Sequence, residues 1–361
     1  MFRHNPAHIS MTSRPDETAA RDGRIGVSTK WGLCRCFLAL VCVVASPGSH
    51  ANYSNVFIFG DSISDSGNNA ALTANRTPVP ISGNGFIPTY PYASGHYTNG
   101  QVWAQDFASA RGLSANPSLL GGTDYAFGGA TTGPLTPNAL PGGLFSPFPP
   151  SLETQAAYFL FLHRGVAPSD ALYVVAGGGN DARDALNAIG SCGNSRCVAG
   201  VIASTALGFA TDIATIVSEL ETDGAKHVVV WDTPDVGLAP AILAEGAQAS
   251  ALGTLLASAM NSALLSAIGG APGVTLFDIF GLEDSIVADP AAFDLTNVTQ
   301  ACAQFIACDP STYLFWDGIH PTSAGAQIIS NAMLERVPEP ATIALLGLGL
   351  AGLGFSRRRK Q

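Results

Sequence analysis

Apolar and β-branched residues gather in four short runs, Val56–Phe59, Ala171–Ala176, His227–Trp231 and Val274–Phe277, each bounded by glycine or polar residues. Longer, alanine- and leucine-rich segments separate them: Val102–Arg111, Leu152–Arg164, Ala199–Thr222, Ala239–Ile268 and Ser323–Arg336. This alternation predicts an α/β domain, a parallel sheet with helices on both faces. A further strand is expected near Tyr125–Phe127. Gly208, Gly246 and Gly253 interrupt the two longest helical segments and weaken their continuity. Two irregular stretches, Thr73–Gly100 and Thr132–Pro150, are rich in Pro, Gly, Tyr and Phe and are read as walls of a cleft at the carboxyl ends of the strands.

The two ends follow a different pattern. Arg21, Arg24 and Lys30 precede an apolar run from Trp31 to Ala45, and Ser49-His50-Ala51 offers small residues at a cleavage site, so 1–51 is expected to be a signal peptide with a long polar start. Val337-Pro338-Glu339-Pro340 is followed by an apolar stretch, Ala341 to Phe355, and by Arg357-Arg358-Arg359-Lys360. That order resembles the PEP-CTERM sorting signal of Gram-negative bacteria, which implies processing by an exosortase, transient membrane association and export. An ordinary C-terminal membrane anchor is the alternative, with the basic cluster held on the cytoplasmic side. Between the ends, 52–337 forms one domain-sized body.

Charge changes the picture once the ends are set aside. Residues 52–340 hold seven basic side chains against 24 acidic ones. A surface this acidic repels phosphate backbones, and nucleic acid is excluded as a partner. Four cysteines fall in the body as close pairs, Cys192/Cys197 and Cys302/Cys308. In an exported chain proximity favours two local disulfides, with zinc binding by all four as the alternative.

Candidate chemistry sits at the strand ends. Val56–Phe59 runs into Gly60-Asp61-Ser62-Ile63-Ser64-Asp65-Ser66-Gly67-Asn68, where a serine just past a strand can lift its hydroxyl above the sheet edge. Downstream, Trp316-Asp317-Gly318-Ile319-His320-Pro321-Thr322 places an acid and a histidine three apart, so the carboxylate can hold one ring nitrogen while the other faces a hydroxyl. Gly177-Gly178-Gly179-Asn180-Asp181 follows the second strand, and its Asn180 amide could serve an oxyanion. Gly128-Gly129-Ala130 could offer backbone N–H groups to the same oxygen. Each motif alone is also ordinary turn or capping chemistry.

Their combination resembles the SGNH/GDSL hydrolase family, in the branch of plant GDSL lipases and bacterial lecithinase- or haemolysin-like esterases. The matching stretches are Phe59–Asn68, Thr98–Trp103, Tyr125–Ala130, Gly178–Asp181 and Trp316–Thr322. The resemblance implies a flavodoxin-like three-layer fold with a five-stranded parallel sheet. It implies Ser62 as nucleophile, His320 as base and Asp317 as its orienter. The oxyanion hole would combine the Ser62 and Gly128 N–H groups with the Asn180 side chain, although Gly129 fits the same block. His96 stands where the pattern has arginine. The implied activity is hydrolysis of carboxylic esters without metal or cofactor, by a monomer; carbohydrate O-deacetylation and a non-catalytic binding module are the alternatives. Gly347–Gly352 spells a dinucleotide fingerprint, but inside the terminal apolar segment with no strand before it.

Overall fold

The computed structural model describes residues 53–72, 95–133 and 148–337. The expected signal peptide, the C-terminal sorting segment and most of both irregular stretches lie outside the described residues. Four parallel strands form the sheet in the order β1 (Val56–Gly60), β2 (Leu172–Ala176), β3 (Val228–Trp231) and β4 (Val274–Phe277). Their side chains alternate between two cores. Phe57, Phe59, Tyr173, Val175, Val228 and Val230 face α3 (Leu152–Leu162), α4 (Gly179–Gly190), α5 (Ser195–Thr222) and α7 (Ala247–Ile268). Val56, Ile58, Leu172, Val174, Val229 and Trp231 face α2 (Trp103–Ala110), α8 (Ile279–Ala288) and α9 (Ser323–Arg336). Burial on both faces is why these strands read as continuous apolar runs.

The expected fifth strand needs correction. Ile58 N–H donates to Thr123 O, while Tyr125 N–H and Phe127 N–H donate to Ile58 O and Gly60 O, so the segment lies parallel to β1 at the open edge. A regular ladder would also bond Gly60 N–H to Tyr125 O. That N–H instead donates to Gln155 Oε1 at 2.8 Å, and Gln155 Nε2 returns a bond to Gly60 O at 2.9 Å. The sheet therefore has four regular strands with an irregular fifth segment beside β1. A second, two-stranded sheet, β5 (Asn297–Ala301) with β6 (Tyr313–Phe315), was not anticipated.

Helix boundaries follow local chemistry. Ser151 caps α3 by accepting from Thr154 N–H, and Thr322 caps α9 by accepting from Gly325 N–H. Of the three suspect glycines only Gly246, at φ +100°, breaks a helix; it separates α6 (Pro240–Ala244) from α7. Three of the described helices are not expected from the sequence: the short α1 (Asn68–Leu72), α4, whose glycine-rich start looks like a turn, and α8. Cys192 is joined to Cys197 and Cys302 to Cys308, which leaves no four-cysteine zinc set. The second bridge packs beside Trp316, under the loop that carries Asp317 and His320.

Gly208 and Gly253 both lie inside helices, for different reasons. A Cβ on Gly208 would meet nothing within 4 Å, whereas one on Gly253 would lie 2.8 Å from Gly237 Cα. Gly208→Ala should stabilise the fold by about 0.5–1 kcal/mol through helix propensity. Gly253→Ala should destabilise it by roughly 1–3 kcal/mol through overpacking against backbone. Denaturant melts of the two variants check this, and shifts of the same sign would contradict the packing described.

Candidate active site

Ser62 stands just beyond the end of β1. A Cβ on Gly60 would lie 2.8 Å from Ala176 O, so only glycine lets β1 leave the sheet so close to β2. The following turn is tied by Ser64 N–H and Asp65 N–H donating to Asp61 O, and by Ile63 N–H donating to Asp61 Oδ1. The chain passes from β1 to the 123–127 segment on one side and to β2 on the other. Ser62 thus occupies the point where strand order reverses, at the carboxyl end of an open α/β sheet, where such folds bind ligands.

Asp317 and His320 follow β6. Asp317 Oδ1 accepts from Ile319 N–H at 2.8 Å and from His320 N–H at 2.7 Å, while Oδ2 lies 2.6 Å from His320 Nδ1. On the far side of the ring, Nε2 is 2.8 Å from Ser62 Oγ. The carboxylate fixes Nδ1 as the protonated nitrogen, so Nε2 is left to accept from the serine hydroxyl. All three side chains are buried. The loop is closed by Trp316 N–H to His320 O, and Thr322 Oγ1 donates to Tyr313 O, anchoring the exit into α9.

The two glycines of the Gly128 block divide differently from the sequence reading. Gly128 N–H donates to Asp65 Oδ2 at 2.9 Å and so is committed within the protein. Its lack of a side chain serves packing, because a Cβ there would fall 2.3 Å from the Tyr97 ring. Tyr97 in turn stacks on the His320 imidazole, with ring centroids 5.3 Å apart. Gly129, at φ +88°, has an N–H with no partner among the described residues. Asn180, at the start of α4, donates from Nδ2 to Ala130 O at 2.9 Å; its other neighbour, Asp61 Oδ2, is 3.5 Å away. One amide hydrogen is therefore held and the second has only a long, weak partner.

The model of the GDSL-like lipase/acylhydrolase family matches residues 56–333. The chain belongs to this family. Residues 336–360 match the PEP-CTERM protein-sorting motif, which indicates export in a Gram-negative bacterium. Esterase EstA of Pseudomonas aeruginosa is 28% identical over 86% of this chain and 51% of its own length. GDSL esterase/lipase EXL2 of Arabidopsis thaliana is 25% identical over 84% of this chain and 94% of its own. The chain spans about half the length of the Pseudomonas relatives it matches. A solved lipase/acylhydrolase from Enterococcus faecalis aligns at 13% identity and a TM-score of 0.38, over 79% of this chain and 98% of that one.

Several residues of this GDSL site were read too narrowly from sequence. In the nine residues from Gly60 to Asn68 the serine is the evident candidate, yet Asp65 is a buried acceptor for Gly67, Asn68, Asn69 and Gly128 N–H groups. Asp124, also buried, accepts from Ser66 and Ala126 N–H. Asn99 accepts from Ser323 N–H at 2.8 Å, so the Thr98-Asn99-Gly100 block ties this loop to the start of α9. His96 places one ring nitrogen at Gly100 O and the other at Ser66 O, a tie within the scaffold. The signal for such roles was the density of Asp and Asn at strand ends.

An apolar cavity of about 110 Å³ adjoins Ser62 and His320, walled in part by Trp231, Ile242, Ile286 and Phe315. Burial pushes Asp61 up to about 6, against the opposing pull of the Ile63 N–H and of the nearby His320 and Arg183 side chains. Burial also pushes Asp181 and Asp232 up to about 7, and Glu283, on the cavity wall, up to about 8. In an unfolded chain these groups titrate near pH ~4. Between ~4 and those raised values the native state holds more protons than the unfolded one, so stability falls as pH rises through that window. Thermal melts should give a higher Tm near pH ~5.5 than near pH ~8; a Tm that is flat or rises over that range would mean these carboxyls are not held as described.

Proposed function

We propose that the protein is an exported serine esterase in which Ser62, His320 and Asp317 act as a triad. The observation that carries this reading is the continuous hydrogen-bond line from Asp317 Oδ2 through His320 to Ser62 Oγ, with links of 2.6 and 2.8 Å. Esterase-named relatives of the family support it. His320 Nε2 takes the hydroxyl proton as Ser62 Oγ attacks an ester carbonyl, and the resulting imidazolium is stabilised by Asp317. The same proton then goes to the leaving alkoxide, and His320 activates water to free the acid from the acyl-enzyme. The tetrahedral oxygen is met by the Ser62 N–H, the weakly held second Asn180 Nδ2 hydrogen and the Gly129 N–H, which takes the place expected for Gly128.

Cavity size narrows the substrate. At about 110 Å³ it is smaller than the roughly 150 Å³ that encloses a benzene ring, and its walls are mainly apolar. That suits a short aliphatic acyl tail, and equally an acetyl group, so acyl length and alcohol identity are separate questions. Purified protein should hydrolyse p-nitrophenyl acetate and butyrate, with kcat/KM falling at least ~10-fold for the dodecanoate because its tail exceeds the cavity. Ser62→Ala should abolish turnover, and a serine-directed phosphonate should label Ser62 alone. Retained turnover in Ser62→Ala would remove the triad, whereas a rate rising with chain length would remove only the short-acyl reading.

A further inference from the structure

The structure points to Arg183 as a positioning residue, and we propose that it holds and polarises the Asn180 amide so that its second, weakly held N–H faces the developing oxyanion. This rests on the esterase reading above. Arg183 lies three residues after Asn180 on α4, hence on the same face of the helix. Its Nη1 donates to Asn180 Oδ1 at 2.6 Å, a short, charge-assisted bond. The guanidinium is itself braced, with Nε and Nη2 at 2.8 and 2.7 Å from Asp184 Oδ1.

The two ends of the amide are thereby distinguished. Oδ1 meets a cation and Nδ2 meets the Ala130 carbonyl, so a flipped amide would set Nδ2 against the guanidinium and Oδ1 against a carbonyl oxygen. A cation on Oδ1 also draws electron density from nitrogen and strengthens both N–H groups as donors. One of them is spent on Ala130. The other is held only weakly, by Asp61 Oδ2 at 3.5 Å from Nδ2. Arg183 also lines the cavity beside Ser62, and it is the one Lys or Arg among the described lining residues. Its charge reaches Asp61, the residue before the nucleophile, where it opposes the upward push of burial.

A residue that acts through Asn180 must lose its effect when Asn180 is gone. Arg183→Met should lower kcat about 10-fold with KM changed less than ~2-fold, because the bond it supports strengthens only as negative charge develops. Arg183→Lys should recover part of that loss, and the Tm of both variants should stay near that of the parent, since the side chain is partly exposed. In the Asn180→Ala background, itself lowered about 100- to 1,000-fold, Arg183→Met should cost less than ~2-fold more. Full kcat in Arg183→Met, a loss seen in KM alone, or an undiminished loss in the Asn180→Ala background would each overturn the proposal. Should Arg183→Met fail to fold, Arg183→Gln, which keeps a neutral donor, takes its place in the same cycle. Ser62→Ala run alongside separates the two ideas: if it is inactive while Arg183→Met matches the parent, only the role of Arg183 falls.

Discussion

One buried carboxylate holds the turn that carries Ser62 to the rest of the candidate site. Asp65 accepts from the N–H groups of Gly67, Asn68 and Asn69 on its own loop and from Gly128 on the next. A charge in that position is tolerable only with its lone pairs filled, so the two loops must come together before the region is stable. The consequences pass outward by contact. Gly128, drawn in by Asp65, presents a bare backbone to the Tyr97 ring, and Tyr97 stacks on His320. Asn69 reinforces the path by donating to both Tyr97 Oη and Gly128 O. The placement of the imidazole is therefore referred back to a residue three positions after the serine it faces.

Much of this was legible because it is local. Strands buried on both faces announce themselves as short apolar runs, and all four regular ones fall within a residue of their expected bounds. The Asp317–His320 loop was legible for the same reason, since a carboxylate three residues before a histidine reaches the ring and two backbone N–H groups without help from elsewhere. What escaped depends on partners distant in sequence. The fifth strand is irregular because Gln155, 95 residues away, takes the Gly60 N–H. That Gly128 N–H is engaged by Asp65 and its bare Cα by Tyr97 is equally invisible in a glycine pair. Helix α4 was masked by its own start, where three glycines read as a loop even though the helix begins at the third of them.

Charge is distributed with the same economy. The body carries few cations, and Arg111 is turned to the C-terminal end of α9, where it donates to Val337 O and lies over the Phe107 ring. Arg183 lines the cavity together with Asp61 and Glu283, whose carboxyls burial pushes up to about 6 and about 8. Protonation spares the pocket around Ser62 some of the negative field that its acidic composition would otherwise impose.

The Asp317–His320 loop also has a temporal meaning. Asp317 and His320 are brought together by a few consecutive residues, but the serine they face lies 258 positions earlier, and the loop leads into α9, which packs on one face of the sheet. During synthesis Ser62 emerges long before the histidine it faces. The line from Asp317 through His320 to Ser62 is complete only once the 317–320 loop meets the turn after β1. An unfinished or unfolded chain therefore lacks the hydrogen bond that joins the hydroxyl to the imidazole.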